Sequence, residues 1–284
     1  MPTRELIEPI LARLLLEPTF LAAMRADAAA ALRAYPADDR LLAELAGTDL
    51  ERIRLFSGFI GKVQHNDLWD LFPASRHLLR YHGLELEAFA EYRRIQLSAS
   101  RDASDRAARI RSFLDFLEPY VAVRKPPALA EVLRHERALW EVRTAMEDSA
   151  DARALDESGS ALPWRDMLAR VPRVLGPLRI HPFPCDPARL AAAVCAGRYH
   201  GRAPRRRSQI LAYWGDRHTA RLRVLRLDAL TAMVLSQTDG RRTVRAVIGA
   251  ARRRGLSEAP PRAFRPFFAD AVRCGLIHLD AGSR

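Results

Sequence analysis

Residues 209–227 read QILAYWGDRHTARLRVLRL, and the predicted structure of the second half of the chain is built around them. Strand-forming residues dominate two runs within it, Gln209–Trp214 and Ala220–Leu227. The second run alternates arginine with leucine or valine, which is typical of a strand whose two faces meet different surroundings. A turn-forming tetrapeptide, Gly215 to His218, separates the two runs. The stretch therefore predicts a β-hairpin.

Three helices are predicted after the hairpin. Asp228 and Thr243 each stand where an N-cap residue would start an apolar helical pattern, and a glycine closes each pattern. A third helix is predicted from about Pro261 to Arg273, followed by a strand at Leu276–Leu279. A hairpin, three short helices and a final strand are typical of winged-helix-like modules. Residues 205–284 are therefore predicted to form a basic α+β domain with a winged-helix-like three-helix unit.

The first 150 residues place apolar side chains three to four residues apart and predict an all-helical bundle. Asp38 and Asp39 are predicted to cap one helix and Asp49 the next. His65-Asn66-Asp67 is predicted as a break, and Gly83 as a helix end. Later helices are predicted at about 84–97, 103–118 and 127–147.

Residues 151–204 predict a region that joins the two domains. A polar linker is expected at Ser149–Gly159, where the helical periodicity fades. Prolines then stand at positions 163, 172, 177, 182, 184 and 187. Because proline interrupts helices, this region is expected to hold extended segments and one short helix at about 187–196.

Charge is segregated along the chain. Residues 1–150 hold 21 Lys+Arg against 23 Asp+Glu, whereas residues 151–284 hold 25 against 11. The basic groups are almost all arginine, whose planar guanidinium binds carboxylates and phosphates through paired hydrogen bonds. We predict an acidic ligand for a set of clustered arginines: Arg205, Arg206, Arg207, Arg221, Arg223, Arg241 and Arg242. The alternative is a solvated basic surface, since arginine and alanine enrichment also follows from genomic base composition.

Other classes of function find little support in the sequence. No apolar run approaches the 18 or so residues of a membrane span, and glutamates interrupt the N-terminus, so a cytoplasmic protein is expected. The three cysteines form no Cys-x-x-Cys pair. The closest approach to a metal cluster comprises His181, Cys185, Cys195 and His200, and its spacing matches no zinc pattern. Neither a catalytic constellation nor a glycine-rich phosphate loop is present, so a stand-alone enzyme is the weakest hypothesis.

Three stretches resemble the partner proteins encoded beside multinuclear non-heme iron-dependent oxidases, which modify cysteines of ribosomally made peptides. LWDLFP at 68–73, with Arg76 and Leu79, resembles one helix of that family, and PALAEVLRHERALWE at 127–141 resembles another. ILAYWGD at 210–216, LRLDA at 225–229 and GLI at 275–277 resemble its C-terminal part, although Ala229 replaces the usual proline. The likeness extends both to the methanobactin type and to the general type once labelled a DNA-binding domain.

The resemblance implies a non-catalytic subunit that forms a heterodimer with the oxidase and captures the precursor peptide. Iron and its ligands would then belong to the oxidase, and no cofactor is expected in this chain. The hairpin and the winged-helix-like end are similar to elements that bind a leader peptide as an added strand. An acidic leader would match the basic half of the chain.

A DNA-binding regulator is the alternative hypothesis. In it, Thr243 to Arg254 would be a recognition helix with its arginines on phosphates or guanines. The arginines stand mainly at the ends of this helix, however, and leave Ala246, Gly249 and Ala250 in its middle. Nucleic acid is therefore the weaker of the two partner predictions.

Overall fold

The computed structural model describes residues 3–33, 35, 47–98, 106–148, 162–202, 205–255 and 259–281. It has small antiparallel sheets among many helices, which confirms the predicted α+β class. The chain divides into two compact units, residues 1–120 and 121–284. The helix predicted after Asp38 and Asp39 and the polar linker predicted at 149–159 lie outside the described residues. Within the described ranges, no helix is both long and apolar enough to cross a membrane.

The described residues of the first unit form helices and short connections without any strand, as predicted. Its helices are α1 (Thr3–Leu16), α2 (Pro18–Ala26), α3 (Ala28–Leu32), α4 (Leu50–Trp69), α5 (Pro73–Tyr81), α6 (Glu85–Ser98) and α7 (Arg106–Arg124), which ends past the boundary between the units. Asp49 caps α4 as predicted, because its side chain accepts hydrogen bonds from the N–H groups of Glu51 and Arg52. Gly83 lies between α5 and α6, where its φ of 70° suits a residue without a side chain.

The predicted break at His65-Asn66-Asp67 is wrong. Helix α4 continues to Trp69, and the N–H of Asp70 still donates to the carbonyl of Asn66. The carboxylate of Asp67 accepts hydrogen bonds from Arg106 and Arg109 of α7, so a residue type that often ends helices is held inside one. This long-range pairing is not visible in the local sequence.

Aromatic residues form much of the core of the first unit. Trp69 and Phe113 are fully buried and meet edge to face with ring centroids 4.8 Å apart. Tyr92 also packs against Phe113 with ring centroids 4.9 Å apart, and its hydroxyl donates to the carbonyl of Arg109. Contacts of this kind add to the free energy gained by burying the rings.

The described residues of the second unit include five strands. Its elements after α7 are α8 (Leu129–Glu147), α9 (Trp164–Met167), β1 (Val171–Val174), β2 (Leu178–Phe183), α10 (Pro187–Cys195), β3 (Gln209–Asp216), β4 (Arg221–Leu227), α11 (Ala229–Gln237), α12 (Val244–Arg253), a 3₁₀ turn (Pro261–Phe264), α13 (Arg265–Arg273) and β5 (Ile277–Asp280). Asp228 and Thr243 cap α11 and α12 as predicted. The predicted hairpin is confirmed as β3–β4, but its turn lies at 217–220 rather than at 215–218.

The main sheet has the order β2-β3-β4 with antiparallel neighbours. Strand β2 comes from the proline-rich region that was predicted to join two domains, so that region supplies an edge of the sheet as well as the expected short helix α10. Strand β5 pairs with β1 in a separate two-stranded sheet and does not join the hairpin. The predicted three-helix unit is present, and the strand that follows it, β5, pairs with residues 171–174.

Helices cover both faces of the main sheet. The face that carries Trp214 packs against the three-helix unit in a large apolar cluster that includes Val247 and Phe268. The opposite face carries Leu211 and Tyr213 and packs against α8. Because α8 packs on this sheet, it is part of the second unit, and the boundary between the compact units lies between Tyr120 and Val121. The sequence predicts the end of the helical bundle at residue 150 instead.

A buried polar pair joins α8 to the central strand. Nδ1 of His135 and the hydroxyl of Tyr213 share a hydrogen bond 2.7 Å long, and both side chains are buried. Burial lowers the pKa of His135 to about 4, against a smaller upward effect of Asp186. Burial likewise raises the pKa of Tyr213. Both groups are therefore neutral when the sheet and the helix are packed.

Replacement of Gly176 is expected to destabilise the fold strongly. Gly176 has a φ of 86°, and a Cβ at this position would collide with the carbonyl oxygen of Gly215. Gly197 is a matched control, because its φ is 68° but a Cβ there would meet nothing within 4 Å. Gly197→Ala should cost about 1 kcal/mol from backbone strain alone, and Gly176→Ala about 2 kcal/mol more from the collision. Urea unfolding of both variants measures the difference, and equal losses would contradict the close approach of the two glycines.

The His135–Tyr213 pair predicts a pH dependence of stability. Unfolded histidine titrates near pH 6.5, whereas folded His135 stays neutral down to about pH 4. The unfolded chain therefore binds a proton first, so the free energy of unfolding should fall as pH drops from 6.5 to 4, by about 1.4 kcal/mol per pH unit at most. Urea titrations at several pH values measure this slope. His135→Gln should reduce it, and an unchanged slope would mean that His135 does not carry the effect.

Candidate functional site

Strand β4 lies at an exposed edge of the main sheet. In the neighbouring strand β3, every residue except Ile210 is buried, whereas no residue of β4 is buried. Val224, in the middle of β4, is 40% exposed although it is apolar and branched. The hairpin sequence predicts such a strand, but only the order β2-β3-β4 shows that, among the described residues, β4 has a neighbouring strand on one side alone.

The register shows which backbone groups of β4 point away from the sheet. The N–H of Gly215 donates to Pro177 and that of Arg207 to Pro184, so the odd-numbered residues of β3 face β2. In an antiparallel strand alternate residues face opposite neighbours, so the even-numbered residues of β3 face β4. These pair with Arg221, Arg223, Leu225 and Leu227. The backbone N–H and C=O groups of Leu222, Val224 and Arg226 therefore point outward, and no described residue bonds to them.

The opposite edge of the sheet is less suited to another strand. By the same alternation, β2 directs the backbone of Leu178, Ile180 and Pro182 outward. Pro182 has no N–H to donate. The carbonyl of Leu178 already accepts a hydrogen bond of 3.2 Å from the side chain of Arg179. Among the edges that the structure describes in this sheet, β4 alone offers an uninterrupted row of donors and acceptors.

Arg221 and Arg223 lie on the same face of β4, as predicted, close to the hairpin turn. Arg221 is exposed, and its side chain forms no ion pair with any described residue. Arg223 forms an ion pair with Asp216, with Nε 3.0 Å from the carboxylate, and its guanidinium lies 5.9 Å from the ring centroid of Trp214. Arg223 is thus held in place, while its side chain stays 45% exposed.

Asp216 organises the turn end of this face. Burial alone would raise its pKa, but hydrogen bonds from Thr219 and from the N–H of His218, together with the charge of Arg223, hold its pKa below the usual range. The carboxylate is 2% exposed and stays ionised at neutral pH. It therefore fixes Arg223 on the sheet without occupying Arg221.

The remaining predicted arginines do not join this pair. Arg205, Arg206 and Arg207 are exposed in the segment before β3, at the end of the sheet away from the turn. The length of β3, about 23 Å at 3.3 Å per residue, separates this end from Arg221. Arg241 is exposed and begins the approach to α12. The side chain of Arg242 already has partners within the fold, because it donates to the carboxylate of Asp239 and to the backbone carbonyl of Gln237. The structure therefore separates the seven predicted arginines into distinct places.

One arginine of β4 was absent from the predicted set. Arg226 lies on the face of β4 that carries Leu222 and Val224, and its side chain is 3.5 Å from the carboxylate of Asp186. The alternating pattern of the strand could have indicated it. The partner Asp186 precedes α10 and is 40 positions away in sequence, so the ion pair itself had no local signal.

The motif at residues 68–79 serves the first unit. Trp69, Phe72 and Leu79 are buried in its core. Arg76 and Arg80 both donate to Glu85; burial would raise the pKa of that carboxyl, but these hydrogen bonds lower it. The side chains of this region line a cleft of about 450 Å³, namely Trp69, Asp70, Pro73, Arg76, His77 and Arg80. Carboxylates of the protein already neutralise the two arginines there.

Potential metal ligands are dispersed. In the residues that the structure describes, no group of three or more His, Cys, Asp or Glu side chains is arranged to hold a metal ion. His181 packs its ring against Phe183 and Tyr213, Cys185 is buried, and Cys195 is exposed at the end of α10.

Comparison of the chain with protein-family models and with curated proteins found no match.

Proposed function

We propose that this chain is a non-catalytic partner subunit that binds an extended acidic peptide along β4. The observation that carries the proposal is the open edge of this strand, where outward backbone groups lie beside the exposed Arg221. The surrounding unit favours anions, since residues 121–284 hold 30 Lys+Arg against 16 Asp+Glu. Long-range attraction of this kind speeds the encounter with an acidic partner.

The edge and the arginines have separate tasks in this proposal. An added strand gains affinity from main-chain hydrogen bonds to Leu222, Val224 and Arg226, and these bonds do not depend on the peptide sequence. The guanidinium of Arg221 then selects a carboxylate near the turn. Arg223, oriented by Asp216, leaves part of its guanidinium exposed at the same end of the strand.

The enzyme in the proposed complex is a multinuclear iron-dependent oxidase, and the peptide is its ribosomally made precursor. This part rests on the resemblance of residues 68–79, 127–141 and 210–277 to partner proteins of such oxidases. The oxidase would supply the iron and the chemistry, and this chain would supply the peptide-binding edge. The proposed setting is the cytoplasm, with which the three free thiols agree.

Removal of the free guanidinium should weaken peptide binding. Arg221→Ala is expected to raise the Kd of the synthetic peptide EVEVEVEVEV about fivefold, because an exposed ion pair contributes up to about 1 kcal/mol. Arg262→Ala is the matched control, since Arg262 is also exposed but lies in the 3₁₀ turn. Isothermal titration calorimetry at low salt measures both. Equal Kd values for Arg221→Ala and the wild type would rule out this contact.

Binding of duplex DNA distinguishes the alternative hypothesis, a DNA-binding regulator, from the proposed peptide-binding subunit. Arg245 and Arg253 are exposed on α12 and form no ion pair with the described residues. A DNA-binding regulator would bind duplex DNA at physiological salt through this helix, and Arg245→Ala with Arg253→Ala would weaken it. Tight DNA binding together with no peptide binding would contradict the proposed function.

A proline in β4 tests whether the strand edge is used. Val224→Pro removes an N–H that points away from the sheet and leaves the hydrogen bonds between β3 and β4 in place. The Kd for EVEVEVEVEV should rise about tenfold, the equivalent of one lost hydrogen bond of about 1.4 kcal/mol. Val224→Thr keeps the backbone donor and is the control. Circular dichroism verifies the fold of each variant, and unchanged binding by a folded Val224→Pro protein would exclude strand addition.

A further inference from the structure

The two faces of β4 differ in a way that constrains the sequence of an added strand. One face carries Arg221 and Arg223 and continues with Leu225 and Leu227. The other face carries Leu222 and Val224 and continues with Arg226. Each residue of an added strand would lie opposite one of these seven positions, and its side chain would share that residue's face.

Resting on the proposed function, we infer that the peptide pairs antiparallel with β4 and follows the pattern apolar-acidic-apolar-apolar-acidic-apolar-acidic, with its last residue opposite Arg221. This pattern is the charge complement of RLRVLRL read in the reverse direction. The occupant is therefore an extended segment of mixed acidic and apolar character, and not a uniformly acidic tail.

The antiparallel direction follows from the backbone groups at the edge. Leu222, Val224 and Arg226 each turn both their N–H and their C=O outward, so each can exchange two hydrogen bonds with one residue of an antiparallel neighbour. Peptide residues opposite Arg221 and Arg223 then form the closer, non-hydrogen-bonded pairs, with Cα atoms about 4.5 Å apart. Short side-chain separation at these positions favours a carboxylate beside each guanidinium.

Apolar side chains are required opposite Leu222 and Val224. Leu222 packs against the cluster that includes Val142 and Tyr213, and Val224 continues this face to the edge, where it is 40% exposed. An apolar peptide residue would extend the cluster and cover Val224. A carboxylate placed there would lose water against the apolar side chains of Leu222 and Val224, with no arginine directly opposite it.

The alternating pattern of β4 should make peptide binding sensitive to a shift in register. The side chains of a strand alternate with a period of two, so a slip by one residue would move acidic groups onto Leu222 and Val224 and apolar groups onto the arginines. The alternation of arginine with apolar residues shifts by one position between Val224 and Leu225. A strictly alternating peptide therefore matches only one end of the strand. Random acidic peptides should therefore bind weakly and without a fixed register.

Two peptides of identical composition test the inference. VEVVEVE and its reverse, EVEVVEV, are each flanked by Gly-Ser and blocked at both ends, and titration calorimetry gives their Kd values for the full chain. VEVVEVE should bind about tenfold more tightly, since reversal removes the match between charges and faces. Equal affinities, or tighter binding of EVEVVEV, would overturn the inferred pattern while the proposed function stands. Binding of neither these peptides nor EVEVEVEVEV would overturn the proposed function itself.

A charge swap tests the register directly. Arg221→Glu should weaken VEVVEVE at least tenfold, and lysine in place of the last glutamate of the peptide should restore most of the loss. Restoration by lysine at another position would place the peptide in a different register and overturn the assignment. Sedimentation of the free chain tests a second copy as the occupant: a dimer that Val224→Pro abolishes and that VEVVEVE does not displace would also overturn it.

Discussion

The burial of β3 from both sides is the constraint on which the second unit depends. Trp214 faces the three-helix unit, and Tyr213 faces α8, so neighbouring residues of one strand belong to two different apolar clusters. A shift of register by one residue would exchange these clusters and place each aromatic side chain among the packing partners of the other. The polar groups of the strand agree with the same register. The indole N–H of Trp214 donates to the carbonyl of Leu175 at 2.6 Å, and the hydroxyl of Tyr213 meets His135.

Once β3 is fixed, the positions of its neighbours follow. Strand β2 (Leu178–Phe183) pairs along one edge of β3, and the hairpin places β4 along the other edge. Asp216, at the end of β3, both closes the turn and holds Arg223. Because β3 directs Leu211 and Tyr213 to one face and Trp214 to the other, β4 inherits its two faces from the packing of its neighbour. The chemistry of the edge is thus a result of how the core is built.

Local patterns in the sequence predicted the local structure well. The hairpin, the caps at Asp49, Asp228 and Thr243, and the shared face of Arg221 and Arg223 depend only on residues close in the chain. Long-range pairings were not predictable in this way. Neither the position of α8 on the sheet nor the use of the proline-rich region as β2 has a signature in its own residues. For the same reason the sequence predicted seven arginines as one group, although Arg242 is bound within its turn and Arg205 to Arg207 lie at the far end of the sheet.

The proline in β2 bears on how the molecule associates with itself. A sheet that is open along both edges can join a copy on each side and grow into a filament without limit. Here Pro182 interrupts one edge, and Arg179 occupies a carbonyl of the same strand. A copy added at β4 would therefore offer only an interrupted β2 edge to the next copy, which hinders further growth of this sheet. The interrupted edge thus disfavours fibre growth through the main sheet even though the edge of β4 is open.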